Sequence, residues 1–522
     1  MGHPQLSPAL QIARVSVERV LTRAGYSSLI LLSVLRIGVF LAFLLYWFSG
    51  SQWWFDPWRV AIGGLCIIAF LGAQMRWSSL FFMARPLPCT ETPRFRVAVV
   101  TTCVPSLEPL PMIERTLIEL VKLDYPHDTW LLDEGDEAEL RNLCRRVGVR
   151  HFSRKNEPWY RQESGRYAAY TKHGNYNAWL QEKGYANYDI LIAFDPDHVP
   201  VPEFTSAVLG YFADPSVAYV QAPQAYYNQS SSLIARGAAE ETYGYYSAGQ
   251  MASFGLGRTV VTGCHCAHRL SALREVGGFP DHLAEDLVLT ARYGAADWKG
   301  IYVPQVLATG CAPVTWSGYI HQQLRWTQSL LDIKLRRLPR LAELSSGKAL
   351  LDYLQGFGYL YDAILAGGAL LVIGAALLTG KGQAAVQRFD TPIVAITFAL
   401  LAASEAFRWR FYLKPAQVRG PHWRAAILRL AKWPYTLWSL WVVIKEAPTR
   451  YVVTPKTATP STERLLWPPH FGIVLFLTLC LVAGFAVHGP LIWDTYVRAA
   501  VFGLFSVSMM TADFWPTGLR GV

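Results

Sequence analysis

Leu191-Ile-Ala-Phe-Asp195-Pro-Asp197-His198 is an apolar run that stops at two carboxylates one residue apart. A short apolar run closed by a Pro-containing turn reads as a strand buried on both faces. In an open α/β sheet, ligands gather outside the carboxyl ends of such strands, which is where Asp195 and Asp197 fall. Hard cations such as Mg2+ or Mn2+ take carboxylate oxygens and keep positions for phosphate oxygens. The spacing therefore suits Asp197 as ligand to a metal on a diphosphate, with Asp195 orienting a nucleotide. Taken alone, a D-x-D is also a polar turn.

Outward from this stretch, β-like runs alternate with helical patterns: Val97 to Thr102, Trp130 to Asp133, Val149 to Phe152, Asp189 to Phe194 and Val217 to Gln221. From about Arg94 to Leu335 no long apolar run intervenes. Strands separated by helices predict a mostly parallel, nucleotide-binding type of sheet.

The flanks are different. With 522 residues, 52% hydrophobic, 19 Trp and 16% charged, the chain has material for a soluble domain plus a helical membrane region. Candidate spans are Leu29 to Phe48, Val60 to Met75, Gly356 to Thr379, Pro392 to Phe407, Phe471 to Val487 and Val497 to Ala512. Arg14, Arg19 and Arg23 precede the first span, and the positive-inside rule puts the N-terminus in the cytosol. Arg408 to His470 holds eleven Lys and Arg residues while His488 to Tyr496 holds none, which again puts the longer segment inside. Within it, Tyr435 to Ile444 is too short to span, and Trp433, Trp438 and Trp441 mark an interfacial helix; a seventh span through Pro434 is the alternative. Arg36 inside the first span is expected to snorkel toward the inner headgroups. The resulting division is 1–93, an arm and two spans; 94–340, a cytosolic domain ending in an interfacial helix; and 341–522, four further spans.

Net charge is +10, but the basic residues sit beside apolar segments, so a membrane face is the first reading and no nucleic-acid motif appears. Eight Cys without a C-x-x-C exclude a disulfide framework, and Cys264 and Cys266 have poor spacing for structural zinc. The N-terminus is no secretory signal, since its apolar stretch begins late and a second follows.

Three more elements carry chemistry. Leu131-Leu-Asp133-Glu134-Gly135 ends another strand. Ala284-Glu285-Asp286 follows the turn-rich Gly277-Gly278-Phe279-Pro280, and its acids also suit the first turn of a helix. Gln322-Gln323-Leu324-Arg325-Trp326 has helical character, its Trp offering a flat face to a sugar ring and its Arg a partner for phosphate.

The order acid pair, D-x-D, acid pair, Q-x-x-R-W, inside one α/β insertion between spans, resembles the processive family 2 glycosyltransferases, the cellulose, chitin and hyaluronan synthase group. The resemblance covers about Val97 to Trp326 and, more loosely, the membrane segment after it. Lys172-His173-Gly174-Asn175-Tyr176-Asn177 looks like the K-A-G-N-x-N element, and Gln221-Ala222-Pro223 like the Q-T-P strand. Tyr451-Val452-Val453-Thr454-Pro455-Lys456 is similar to the F-x-V-T-x-K gating loop of bacterial cellulose synthase catalytic subunits, within a candidate loop 448–466.

The resemblance implies an α/β glycosyltransferase A-type (Rossmann-like) cytosolic domain with a transmembrane helical bundle in the inner membrane. It implies inverting, Mg2+- or Mn2+-dependent transfer from a nucleotide sugar, UDP-glucose favoured, to a growing β-linked polysaccharide. Asp286, with Glu285, is then the catalytic acid pair. Asp133, Lys172, Asp195, Thr454 and Lys456 would bind the nucleotide sugar, and Asp197 the metal. Gln322, Arg325, Trp326 and Cys264 would meet the acceptor, Cys264 because Val261-Thr262-Gly263-Cys264 stands where cellulose synthases carry F-C-G-S. Glu134 for Asp and Ala284 for Thr are further departures from the pattern. Implied partners are the donor, a glycan or lipid acceptor, membrane lipids and accessory secretion subunits, with no nucleic acid. The short tail after the last span carries the expectation of no C-terminal cyclic-di-GMP-binding domain and no direct control by that nucleotide. Single transfer to a membrane lipid, and a non-catalytic transport or structural role, are the alternatives.

Overall fold

The computed structural model describes residues 15–50, 56–89, 92–105, 107–336, 357–389, 391–415, 420–446 and 468–512. The candidate gating loop, with Thr454 and Lys456, lies outside the described residues.

Seven strands form the central sheet: β3 (Val97–Cys103), β4 (His127–Asp133), β5 (Arg150–Phe152), β6 (Ile190–Phe194), β8 (Val217–Gln221), β10 (Cys266–Arg269) and β11 (Lys299–Tyr302). β1 (Val17–Arg19), β2 (Ala84–Pro86), β7 (Val199–Pro200), β9 (Ala225–Tyr226) and β12 (Ala308–Gly310) lie outside it. The order is β11-β8-β10-β6-β3-β4-β5. β3 pairs in parallel with both β4 and β6, with Val97 opposite His127 on one side and Ile190 on the other. From β3 the chain builds outward through β4 and β5, then returns to the other edge of β3 as β6. That reversal opens a crevice beyond the carboxyl ends of β3 and β6.

Alternation along the strands divides the core into two layers. Val97, Val99, Leu131, Ile190, Ile192 and Phe194 pack on one face. Ala98, Val100, Leu132, Leu191 and Ala193 pack on the other. β10 departs from the expected parallel pattern, running antiparallel between β6 and β8. Its Cys-Ala-His-Arg sequence has no apolar run to announce it, and its His268 is buried against the Tyr293 hydroxyl at 3.2 Å.

Among the described residues, five segments are long and apolar enough to cross a membrane: Arg23–Trp47, Pro57–Phe82, Gly358–Thr379, Pro392–Trp409 and Pro468–Met510. The last is a hairpin of two helices, Pro468–His488 and Trp493–Met510, joined by the turn Gly489–Ile492. Gly503 approaches Leu477, a methyl carbon on it lying 3.8 Å from Leu477 Cδ1, whereas one straight helix would hold them about 39 Å apart. In the first hairpin Phe40 and Phe70 stack at 3.7 Å. Strands β1 and β2 pair antiparallel across its base, tying its two ends to the same side. Arg36 does not snorkel. It is buried, with Nε donating to Gln74 Oε1 at 3.4 Å and its guanidinium 4.9 Å from the Trp77 ring, because the second helix supplies polar and π partners at that depth.

The helix Trp423–Ile444 runs through Pro434 without interruption and is not among the segments apolar enough to span. Its Leu428 and Ala431 pack with Ile234, Ala238, Tyr319 and Ile320 of the α/β domain, while Trp433 joins the membrane helices through Leu370, Ile473 and Leu477. It is a hinge pin between the two parts.

Candidate active site

Each acidic motif sits where a strand or helix ends. Asp195 and Asp197 follow β6, and Cys311, the residue just after β12, holds the turn by donating its N–H to Asp197 Oδ2 at 3.1 Å. Lys172 begins the helix Lys172–Trp179, whose cap is the Thr171 hydroxyl accepting from Gly174 N–H. Its Nζ donates to Asp195 Oδ1 at 2.5 Å and to the Gly263 carbonyl at 2.6 Å. Burial opposes the charge on Lys172, but Asp195 and Glu285 outweigh it and hold the ammonium well above the usual lysine range. Asp195 is pushed up by burial and pulled further down by Lys172 and His198, ending below its ordinary range.

Glu285 and Asp286 open the helix Glu285–Ala295. Asp286 Oδ1 accepts from Leu287 N–H at 2.8 Å, and burial, reinforced by Glu285, pushes its carboxyl up to about 7. That is the range in which a carboxylate serves as a general base at neutral pH. Gln221 braces the loop facing it, accepting from Thr262 N–H at 2.9 Å and donating to the Cys264 carbonyl at 2.8 Å. The K-H-G-N-x-N element is likewise a brace. Asn175 donates to the Leu132 carbonyl at the end of β4, and Asn177 donates to Phe279 O and accepts from Phe279 N–H in the turn before Glu285.

A single open cavity of about 1210 Å³ collects Lys172, Asp195, Asp197, Glu285, Asp286 and Thr262. Gln322, Arg325 and Trp326 line the same space from the helix Trp316–Arg336. Arg76, Tyr359 and Arg408 of the membrane helices also line it, so the cavity is continuous from the acids to the bundle.

Two residues expected at the site stand back from the cavity in this structure. Asp133 is fully buried; its oxygens accept from Gly135 N–H and Glu137 N–H at 2.8 Å each, and its Oδ2 lies 3.0 Å from His151 Nε2. Its side chain closes the turn after β4 and does not line the cavity. Cys264 is fully buried too, its thiol 2.8 Å from Gln224 Nε2, while Thr262 and Gly263 of the same loop line the cavity. Positive φ at Gly263, 79°, turns the loop so that the following side chain points into the protein.

Sequence reasoning missed Arg154. It is wholly buried and donates to both oxygens of Glu134, at 3.0 and 3.2 Å, and to the carbonyls of Tyr160, Tyr167 and Ala168. Tyr170 N–H also donates to Glu134 Oε1 at 2.9 Å, so the pair ties down the segment that delivers Lys172. The glutamate in place of the second aspartate was the available signal. Also unforeseen, buried Lys432 bonds Gln323 Oε1 at 2.6 Å and pairs with Glu241, joining the Trp423–Ile444 helix to the helix that carries Trp326.

His198 stands beside the D-x-D. Its Nδ1 is 3.8 Å from both Asp195 Oδ2 and Asp197 Oδ1. Two cavity-lining carboxylates are hard oxygen donors of the type Mg2+ and Mn2+ accept, so the residues fit such an ion.

The sequence family described as Glycosyl transferase family group 2 matches residues 190–512. Among curated relatives, the cellulose synthase catalytic subunit (UDP-forming) of Xanthomonas axonopodis pv. citri (strain 306) is 26% identical over 258 residues, 48% of this chain and 34% of its own length. The cellulose synthase 1 catalytic subunit (UDP-forming) of Komagataeibacter xylinus is 24% identical over 299 residues, 53% of this chain and 38% of its own. Putative cellulose synthase 3 of Komagataeibacter xylinus is 25% identical over 438 residues, 79% of this chain and 28% of its own. The chain thus spans well under half the length of these relatives. Among solved structures, a mannosyltransferase from Pyrobaculum calidifontis in complex with GDP-Man and Mn2+ superposes with a TM-score of 0.49 at 18% identity, covering 75% of this chain and 99% of that one.

Proposed function

We propose that this chain, which belongs to glycosyl transferase family group 2, is an inverting, membrane-embedded glycosyltransferase that moves a sugar from a UDP donor, glucose favoured, to a growing β-linked glycan. The observation that carries the reading is the shared cavity: Lys172, Asp195, Asp197 and Asp286, Trp326, and Arg408 of a membrane helix all line one space. The UDP-forming designation of the cellulose synthase relatives supports the choice of nucleotide.

In this reading Asp286 takes the proton from the acceptor hydroxyl as that oxygen attacks the anomeric carbon of the donor. The bond from that carbon to the diphosphate oxygen breaks, the configuration inverts, and UDP leaves. A carboxyl poised near neutrality combines enough ionised form with enough basicity for this step. Lys172, fixed between Asp195 and the Gly263 carbonyl, supplies a positive charge beside the leaving diphosphate. A Mg2+ or Mn2+ held by Asp197 next to Asp195 would neutralise negative charge developing on the leaving group. Trp326 offers its face to the terminal sugar of the acceptor, with Gln322 and Arg325 for hydroxyls. Continuity with the membrane helices supports exit of product through the bundle. The organisation that follows is two spans at 1–93, a cytosolic catalytic part at 94–340 and a membrane part at 341–522, in an inner membrane.

The test is product size. Detergent-solubilised protein is given radiolabelled UDP-sugars one at a time with Mg2+ or Mn2+. High-mass product from UDP-glucose supports elongation; a glycolipid carrying one added sugar would replace it with single transfer to a lipid.

A further inference from the structure

Next to the D-x-D, His198 meets the adjacent pair Cys264 and His265, some 66 positions further along the chain, and all three are buried. One candidate ligand atom of each lies within 4.8 Å of the other two. His198 Nε2 is 4.0 Å from Cys264 Sγ, and the two imidazole rings stand edge to face with centroids 4.5 Å apart. We propose that these three residues form a site for a thiophilic divalent cation, Zn2+, separate from the hard-metal site on Asp195 and Asp197.

Both rings are oriented for such a site. His265 is held at φ 54° with Nδ1 3.1 Å from the Pro223 carbonyl, so Nδ1 carries the proton and donates it. Its Nε2 then presents a lone pair, and that atom has no hydrogen-bond partner although the residue is fully buried. A buried acceptor without a partner destabilises the fold, and a bound cation would satisfy it. His198 has the same division of labour: Nδ1 faces the carboxylates of Asp195 and Asp197 at 3.8 Å, and Nε2 faces the thiol. Imidazoles that ligate zinc commonly give their other N–H to a carboxylate or a backbone carbonyl; His265 gives its own to the Pro223 carbonyl, and the two carboxylates stand 3.8 Å from His198 Nδ1, near it but beyond hydrogen-bond distance.

Chemistry and size agree. Two imidazole nitrogens and one thiolate are a borderline-soft set that suits Zn2+ and not Mg2+. With Zn–N of about 2.0 Å and Zn–S of about 2.3 Å, trigonal ligands stand roughly 3.5–3.7 Å apart, so atoms now within 4.8 Å of one another close on the ion with shifts of under about an ångström each. Gln224 Nε2, 2.8 Å from Cys264 Sγ, is a donor able to stabilise the thiolate left when the thiol gives up its proton. His198 lines the cavity, which provides the ion's way in. Such an ion joins the turn after β6 to the loop that carries Gly263, fixing the two walls between which donor and Asp286 meet.

The experiment uses the full-length protein in buffer with excess Mg2+, which saturates the carboxylate site. One equivalent of Zn2+ is added, unbound metal is removed by gel filtration, and zinc is measured by plasma emission. About one zinc per chain is expected, falling at least tenfold in Cys264→Ser and in His265→Ala and unchanged in Cys266→Ser. Titration of the unmutated protein with Co2+ needs no variant to fold, and should give a near-ultraviolet thiolate-to-cobalt charge-transfer band. Zinc retained by Cys264→Ser and His265→Ala would place the ion elsewhere and overturn the proposal. Absence of both stoichiometric zinc and the cobalt band would overturn it as well.

Discussion

Gly263 stands against Asp286 so closely that a methyl carbon on the glycine would lie 3.3 Å from carboxylate oxygen Oδ2. The glycine also has φ 79°, a conformation that costs L-residues about 1–2 kcal/mol. Gly263→Ala should therefore press on the base while leaving the donor contacts in place. The expected outcome is a fall in kcat of tenfold or more with donor KM within about twofold, read by UDP release. An unchanged kcat would remove Gly263 from the account.

Asp286 gives the reaction its pH dependence. With its carboxyl pushed up to about 7, the rate should climb with slope one in log units below pH 7 and level off above it. Stability runs the opposite way. The folded carboxyl holds its proton more tightly than the unfolded value of 3.8 allows, so between about pH 4 and 7 the folded state binds more protons and loses stability as pH rises. Asp286→Asn should raise Tm at pH 8 by more than at pH 5. Equal shifts at the two values would contradict the assigned environment.

Lys172→Met removes the partner of Asp195 from a site where the two side chains are 17% and 32% exposed. Donor affinity should fall by about tenfold to a hundredfold, as expected for loss of a charge-assisted contact to phosphate together with an unpaired carboxylate. Isothermal titration with UDP reads the change. A dissociation constant within a factor of two of the original would show that Lys172 does not face the nucleotide.

Arg154→Met leaves Glu134 buried without its countercharge and frees four backbone carbonyls, those of Tyr160, Tyr167, Ala168 and Thr171. Removing one partner of a buried pair costs on the order of 3–5 kcal/mol, so Tm should drop sharply. Replacing both residues, Arg154→Met with Glu134→Leu, should recover part of the loss. If the double variant is no more stable than the single one, the carbonyl contacts and not the ion pair dominate.

What could be read from the sequence follows from the range of the forces involved. The strands at 97, 130, 190 and 217 declare themselves because a strand buried on both faces is an unbroken apolar run, and the spans declare themselves because lipid tolerates little else. The acids at 195, 197 and 286 are legible because strand and helix ends are where ligands meet backbone. That Cys264 and Asp133 stand back from the cavity is not legible, because one torsion, positive φ at Gly263, or one turn closing on itself, decides which way a side chain faces. Arg154 with Glu134, and Lys432 with Gln323, join residues that are 20 and 109 positions apart, and no local pattern records such pairings. His198 with Cys264 and His265 is the same case: spacing along the chain argued against zinc, while the fold brings the three together.

The central claim is that Asp286 is the base for sugar transfer, and the most direct measurement is UDP release by Asp286→Asn beside UDP binding by the same protein. The account predicts that release from UDP-glucose falls at least a thousandfold while calorimetric UDP affinity stays within about threefold of the unmutated chain. Turnover within tenfold of the unmutated chain, with binding intact, would contradict it.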